Sequence, residues 1–531
     1  MNRKPLVAVA LAFAFACGAA VAQDAPKALH PKVLRVVPSA DPAELDPTRG
    51  LNLIARIYSQ MVFDTLFALD SKLSPKPMMV ESEQVSADGL TYTFTLRQGL
   101  KFHDGSLVTS RDVVASLEHW MNGLAMGPQL KARTASLGVV DDRTFTLVLN
   151  KRFGLVEFML AGPGAPIPGI MREADATRPA NVPLTAPIGS GPFRYVASER
   201  VSGHRVVFEK FRDYIPRSEP PDGLAGARVV KVDRVEWMIM PDAQTAANAL
   251  TTGEVDFWEQ VNPDLTEVLR KEGITVRRIA ALPTVAFIRP NFQLPPFNDV
   301  RARQALAYLF DQKEMMEAAA GNGVGWQDCH SFTVCGGPFG TEVGSEPYRT
   351  PDIAKAKELL AEAGYKGERL VLLGTPQLPA INAMTLVAAQ RLKQAGVNVD
   401  VQMADFAVMF QRMQAANKPL DQGGYNLFAY HAIGSAWFHP LMNLSVDLSC
   451  GGKNWAGWPC DPQGEALRQA FLEAPDDASR KVAFAAFQKR LWEFLPYIPL
   501  GQFDVVAGWG KNVTGVLNAY IVAYWNIDKQ Q

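Results

Sequence analysis

Stretches with strand character alternate with stretches of helical periodicity from residue 33 to the C-terminus, and no fixed repeat period runs through them. That pattern argues for α/β construction and excludes fibrous repeats. At 531 residues the chain is too long for one compact core, so roughly two to four domains are expected. A hydrophobic fraction of 48% against 20% charged residues supplies ample core material and excludes a disordered chain. The formal net charge of −1 gives no electrostatic footprint for nucleic acid or an anionic membrane, and neither is expected as a partner.

Arg3 and Lys4 precede an uncharged apolar run from Leu6 to Ala22, which closes on Ala20-Val21-Ala22 before Gln23. Basic, apolar and small residues in this order make a secretory signal of residues 1–22, and a periplasmic location is expected. Acylation of Cys17 as a lipoprotein is the competing reading; Ala14-Phe15-Ala16 lacks the leucine usual three positions before such a cysteine. No later segment approaches the ~18–20 consecutive apolar residues that span a bilayer. Cys329, Cys335, Cys450 and Cys460 follow the leader. An oxidising compartment favours disulfides, and pairing 329 with 335 and 450 with 460 closes the shortest of the possible loops. A metal site using Cys329, His330 and Cys335 is the alternative, but that spacing matches no zinc-finger or zinc-ribbon pattern, so no metal is expected.

Val33 to Val37 is a β-branched run stopped by Pro38, and apolar residues from Ile54 to Val62 recur at helical intervals. After the Asp88-Gly89 turn, Tyr92, Phe94 and Leu96 alternate with Thr91, Thr93 and Thr95, which predicts a half-buried strand. Thr109 with Asp112 has capping-box spacing ahead of a helix through Met121, and a hairpin turns at Asp141-Asp142. Residues 161–192 are dense in Pro and Gly and mark a boundary; a second falls near Pro290 to Phe297. Between them Asp242 caps a helix that ends at Gly253. Beyond the second, Asp299 caps a further helix, and Thr350-Pro351 is expected to start another that runs to Gly364. Strand Leu370 to Leu373, helix Met384 to Ala395 and a strand from Val397 make a βαβ-like passage, and the last long helix runs from Ser479 to Leu495.

Thr91-Tyr92-Thr93-Phe94-Thr95-Leu96-Arg97-Gln98-Gly99-Leu100-Lys101-Phe102-His103-Asp104-Gly105, Ile188-Gly189-Ser190-Gly191-Pro192-Phe193, Leu250-Thr251-Thr252-Gly253-Glu254-Val255-Asp256, the run Arg301 to Tyr308 and the run Ala354 to Tyr365 follow one another in family order. In these motifs the chain resembles the family 5 extracellular solute-binding proteins of ABC importers, the dipeptide and oligopeptide class, over essentially all of the mature sequence. The resemblance implies a two-lobed, periplasmic-binding-protein-like α/β fold (class II, cluster C) with a small α+β subdomain inserted in the first lobe. The expected division is 33–75, 188–290 and 500–531 for the first lobe, 76–187 for the insert and 291–499 for the second lobe. It also implies a monomer without cofactor that captures a peptide-like, opine-like or other small organic solute in an interlobe cleft. The closed form would deliver that solute to the permease and ATPase complex at the inner membrane.

Many peptide-binding relatives carry an Asp in a Gly-Asp-Pro-Asp-like stretch that pairs with the ligand's ammonium. The run resembling it here, Tyr430 to Pro440, contains no carboxylate. A buried ammonium without an anionic partner is costly, so stacking and neutral hydrogen bonding are expected instead, with Tyr430, His431, Ser435, Trp437, Phe438 and His439 as candidate ligand-binding residues. Asp41, with Glu44 in the loop after the first strand, is a further candidate; its other reading is a turn residue. Trp437 and Phe438 equally fit a core, and the two histidines fit satisfied imidazoles. An exported hydrolase is a rival class, yet the sequence has no Gly-x-Ser-x-Gly elbow, His-Glu-x-x-His pair or Walker loop, so no catalysis is expected. A sensor or chaperone on the same scaffold is another.

Overall fold

A computed structural model of the chain describes residues 31–179, 182–321, 323–452 and 454–530. The expected signal segment and Cys17 lie outside them. Val33–Val37 forms the centre of the first sheet, parallel to both Arg234–Met238 and Phe257–Trp258. Its β-branched composition suits a strand flanked on both edges and buried. Among the described residues that sheet has seven strands, completed by Arg205–Lys210 and Phe193–Tyr195 on one side and by Val506–Trp509 and Thr275–Arg278 on the other.

The Thr91–Leu96 strand buries Tyr92, Phe94 and Leu96 and leaves its threonines half-exposed, as the alternation predicts. It joins Val80–Val85, Thr144–Leu149 and Thr134–Val139 in a separate antiparallel sheet. The Ser110–Met121 helix packs beside it, its start fixed by Asp112, which accepts the Thr109 backbone N–H at 2.8 Å.

The second large sheet contains Thr284–Pro290 between Ile498–Phe503 and Leu427–Ala432, followed by Leu370–Gly374 and Val399–Met403. This membership shifts the expected lobe boundaries. Thr284–Pro290 and Ile498–Phe503 pair with each other inside the second lobe, so the chain crosses between sheets at residues 279–283 and again at 504–505, rather than at 290 and 500. The crossings are tied together by an ion pair of 2.8 Å between Arg278 and Asp504. Two helices also start elsewhere than expected. Asp352, not Thr350, caps Ile353–Glu362, accepting the Lys355 N–H at 2.9 Å. The Pro379–Gln394 helix begins five residues before Met384, with Pro379 in its first turn, where a missing N–H costs nothing.

Both expected disulfides are present, Cys329 with Cys335 and Cys450 with Cys460. Among the described residues no helix is long and apolar enough to cross a membrane.

Candidate functional site

In open α/β sheets ligands sit beyond the carboxyl ends of parallel strands. Val33–Val37 and Phe257–Trp258 run parallel in the first lobe and are followed by Ser39 and by Glu259-Gln260. Leu370–Gly374 and Leu427–Ala432 run parallel in the second and are followed by Thr375 and by Ile433-Gly434-Ser435. A cavity lies where one end from each set, Glu259-Gln260 and Ile433-Gly434-Ser435, comes together. Its wall combines Leu53, Glu259 and Gln260 of the first lobe with Ile433, Gly434 and Ser435 of the second. Residues of both crossing segments and the C-terminal run Tyr520 to Val522 complete it. A largely apolar wall with a few convergent polar groups is the usual chemistry of a small-molecule site.

Two charged side chains dominate the surroundings. Arg56 lies on the Leu53–Val62 helix, which starts at Asn52 through a 2.9 Å bond from the Ala55 N–H. Only 2% exposed, it donates from Nη1 to Ser435 Oγ at 3.1 Å and from Nη2 to the Pro163 carbonyl oxygen. Its guanidinium also stands 4.7 Å above the Tyr520 ring. Burial pulls its pKa below the ordinary value, but an arginine stays protonated under such conditions. Glu259, 3% exposed, accepts the Ser39 backbone N–H at 2.7 Å and the Tyr524 hydroxyl proton. Burial pushes its carboxyl above the usual range, against the opposing pull of those two donors. Among the described residues neither has an ion-pair partner of opposite charge.

Of the sequence candidates, Ser435 lines this cavity. Trp437 belongs to the second-lobe core: its ring stacks on Phe287 at 5.3 Å and its Nε1–H donates to Tyr497 Oη at 3.2 Å. Phe438 and His439 meet Phe158 of the Val156–Leu160 helix at 5.9 and 4.5 Å, joining the small α+β unit to the second lobe. His439 Nδ1 accepts the Leu441 N–H at 3.1 Å, and burial pushes its pKa down to about 3. His431 places its ring edge-on to Phe503, and burial lowers its pKa to about 4. Half-buried Tyr430 stacks on Phe406 at 6.3 Å. Asp41 ties the loop after the first strand to a distant segment: it accepts from Arg200 at 2.9 Å and from the Gly203 N–H at 2.7 Å.

Glu259 and Arg56 were not among the candidates. Both carried a signal in the sequence. Glu259 directly follows a short strand after a helix, which is where a carboxyl-end loop begins, and Arg56 is the sole charge in an otherwise uncharged ten-residue helix.

Contacts beyond the cavity hold the lobes together on the side of the small unit. Arg480 Nη2 donates to the Gly154 carbonyl at 2.9 Å, and Lys151 pairs with Glu473 at 2.6 Å. A cavity walled by two lobes that the chain joins through two short crossings is the architecture of a two-lobed solute-binding protein, of the kind that closes around its ligand.

Comparison with known proteins agrees. Residues 74–455 match the family described as "Bacterial extracellular solute-binding proteins, family 5 Middle". A Sinorhizobium fredii protein named as a probable peptide ABC transporter periplasmic-binding protein is 35% identical over 489 residues, which cover 91% of each chain. A glutathione-binding protein of Pectobacterium atrosepticum is 26% identical over 501 residues, covering 89% of this chain and 88% of the relative. Among solved structures, a periplasmic binding protein of A. tumefaciens in complex with agropinic acid superimposes with a TM-score of 0.77 at 24% identity, covering 94% of this chain and 99% of that one. A Helicobacter pylori periplasmic binding protein in complex with the peptide STSA gives 0.77 at 19%, covering 94% and 98%. The chain belongs to the family 5 bacterial extracellular solute-binding proteins, and it is the solute-binding component of an ABC importer.

Proposed function

We propose that the solute is peptide-like, that it is captured in the periplasm after removal of residues 1–22, and that it is released to the permease without being chemically altered. The observation that carries this reading is the composition of the cavity wall, to which both lobes and both crossings contribute. A ligand seated there contacts both lobes at once only when they are closed, so it binds the closed form better and shifts the population towards it. The peptide class is supported by the named function of the relative that is 35% identical and by that of the glutathione-binding relative, glutathione being itself a tripeptide.

Calorimetry and thermal-shift measurements test it, with di- to pentapeptides, glutathione, opines, sugars and nickel chelates as the panel. Peptide-like solutes are expected to raise the melting temperature with the logarithm of their excess and to leave the reaction mixture unchanged in mass. Binding confined to sugars or metal chelates would sink the peptide reading, and solute turnover would sink pure capture.

A further inference from the structure

Glu259 is a carboxylate in the wall of an interlobe cavity, with no ion-pair partner among the described residues. Its two oxygens are held by the Ser39 backbone N–H and the Tyr524 hydroxyl, which fix the group against the wall and leave further acceptor capacity on each oxygen. Among the described residues no lysine, arginine or histidine forms an ion pair with it, although most other buried acids here do. Asp64 has Arg228 at 3.1 Å and Asp256 has Lys529 at 2.9 Å. Burying a charge without a counter-charge is costly, and two neutral donors offset that cost only in part. An uncompensated carboxylate in a cavity wall is what the ammonium of a ligand would complete.

We propose that Glu259 binds an ammonium group of the captured solute, supplying from the first lobe the carboxylate that the Tyr430 to Pro440 run lacks. This deepens the peptide-like reading and rests on it: the solute would be one whose amine must be free.

The test compares amine-bearing solutes (amino acids, di- to tetrapeptides, opines and polyamines) with their N-acetylated counterparts by calorimetry, on the wild-type chain and on Glu259→Gln. Acetylation is expected to weaken binding to the wild type about 10- to 100-fold, the range for a hydrogen bond to a charged group. In Glu259→Gln the free amine should lose that advantage while the acetylated form keeps its affinity. Equal binding of free and acetylated forms by the wild type, a comparison that needs no variant, would overturn the assignment. So would an equal loss for both in Glu259→Gln, or a tightly bound solute without an amine. Each of these leaves solute capture standing. Amine-dependent binding of polyamines alone would support Glu259 while removing the peptide reading, whereas a panel in which nothing binds overturns both.

Discussion

Arg56 Nη1 donates to Ser435 Oγ at 3.1 Å, a bond between a first-lobe helix and the turn that follows a second-lobe strand. The same guanidinium reaches the Pro163 carbonyl, so three segments far apart in sequence converge on one buried cation. It exists in this form only while the lobes are together. Arg56→Met keeps the apolar bulk of the stem and removes the bridge. Loss of the hydrogen bonds and relief of a desolvated charge oppose each other, so the melting temperature of the ligand-free protein should move little. Ligand affinity, which depends on closure, should fall about tenfold, worth about 1.4 kcal/mol. Calorimetry with small-angle scattering reads both, and a large drop in melting temperature with affinity intact would contradict it.

Trp437 predicts the opposite pattern. A side chain 7% exposed, stacked on Phe287 and bonded to Tyr497, is part of what folds the second lobe. Trp437→Ala should cost about 3–5 kcal/mol of stability, seen as a lower urea midpoint. Unchanged stability with weakened binding would instead return Trp437 to the ligand.

Stability should also fall in acid. Burial holds His439 at about 3 and His431 at about 4, whereas in the unfolded chain both titrate near 6.5. Between those values the unfolded state binds more protons than the folded one. Stability that is complete above about pH 6.5 is therefore lost as pH falls towards 4 and then 3. Each imidazole contributes at most about 1.4 kcal/mol per pH unit across its window. In His439→Asn the amide oxygen can take over acceptance of the Leu441 N–H, and urea midpoints from pH 7 to 4.5 should then show a shallower slope. An unaltered slope would mean that His439 is protonated in the fold.

How much of this was legible in the sequence follows the range of the interactions. Thr91–Leu96 and the Thr109–Asp112 cap were readable because neighbours a few positions apart determine them. The crossings were misplaced because the Pro-rich run after Pro290 looks like a boundary, while the true one depends on Thr284–Pro290 pairing with strands more than a hundred residues away. Ser435 was found through a family motif. Glu259 was missed because its local signal, a position just after a short strand, marks many loops equally, and what singles it out is the end of a second-lobe strand on the same cavity, which only the tertiary fold supplies.

Gly434 places the second-lobe turn against the first crossing. A Cβ built on it would lie 2.2 Å from the Pro283 carbonyl oxygen and 2.7 Å from the Leu282 Cβ, both in or beside the segment that must flex as the lobes close. The contact is with backbone, which cannot swing aside as a long side chain would. Gly434→Ala must therefore push the Gly434–Trp437 turn away from residues 282–283, carrying Ser435 with it and stretching its bond to Arg56. Overpacking of this kind costs about 1–3 kcal/mol. Because Gly434 and Pro283 continue the Val285–Ala432 pairing inside the second lobe, most of that cost should appear in the stability of that lobe, as a lower urea midpoint. The displaced Ser435 should weaken ligand affinity as well. A wild-type urea midpoint in Gly434→Ala would show that the turn relaxes away from residues 282–283 without strain.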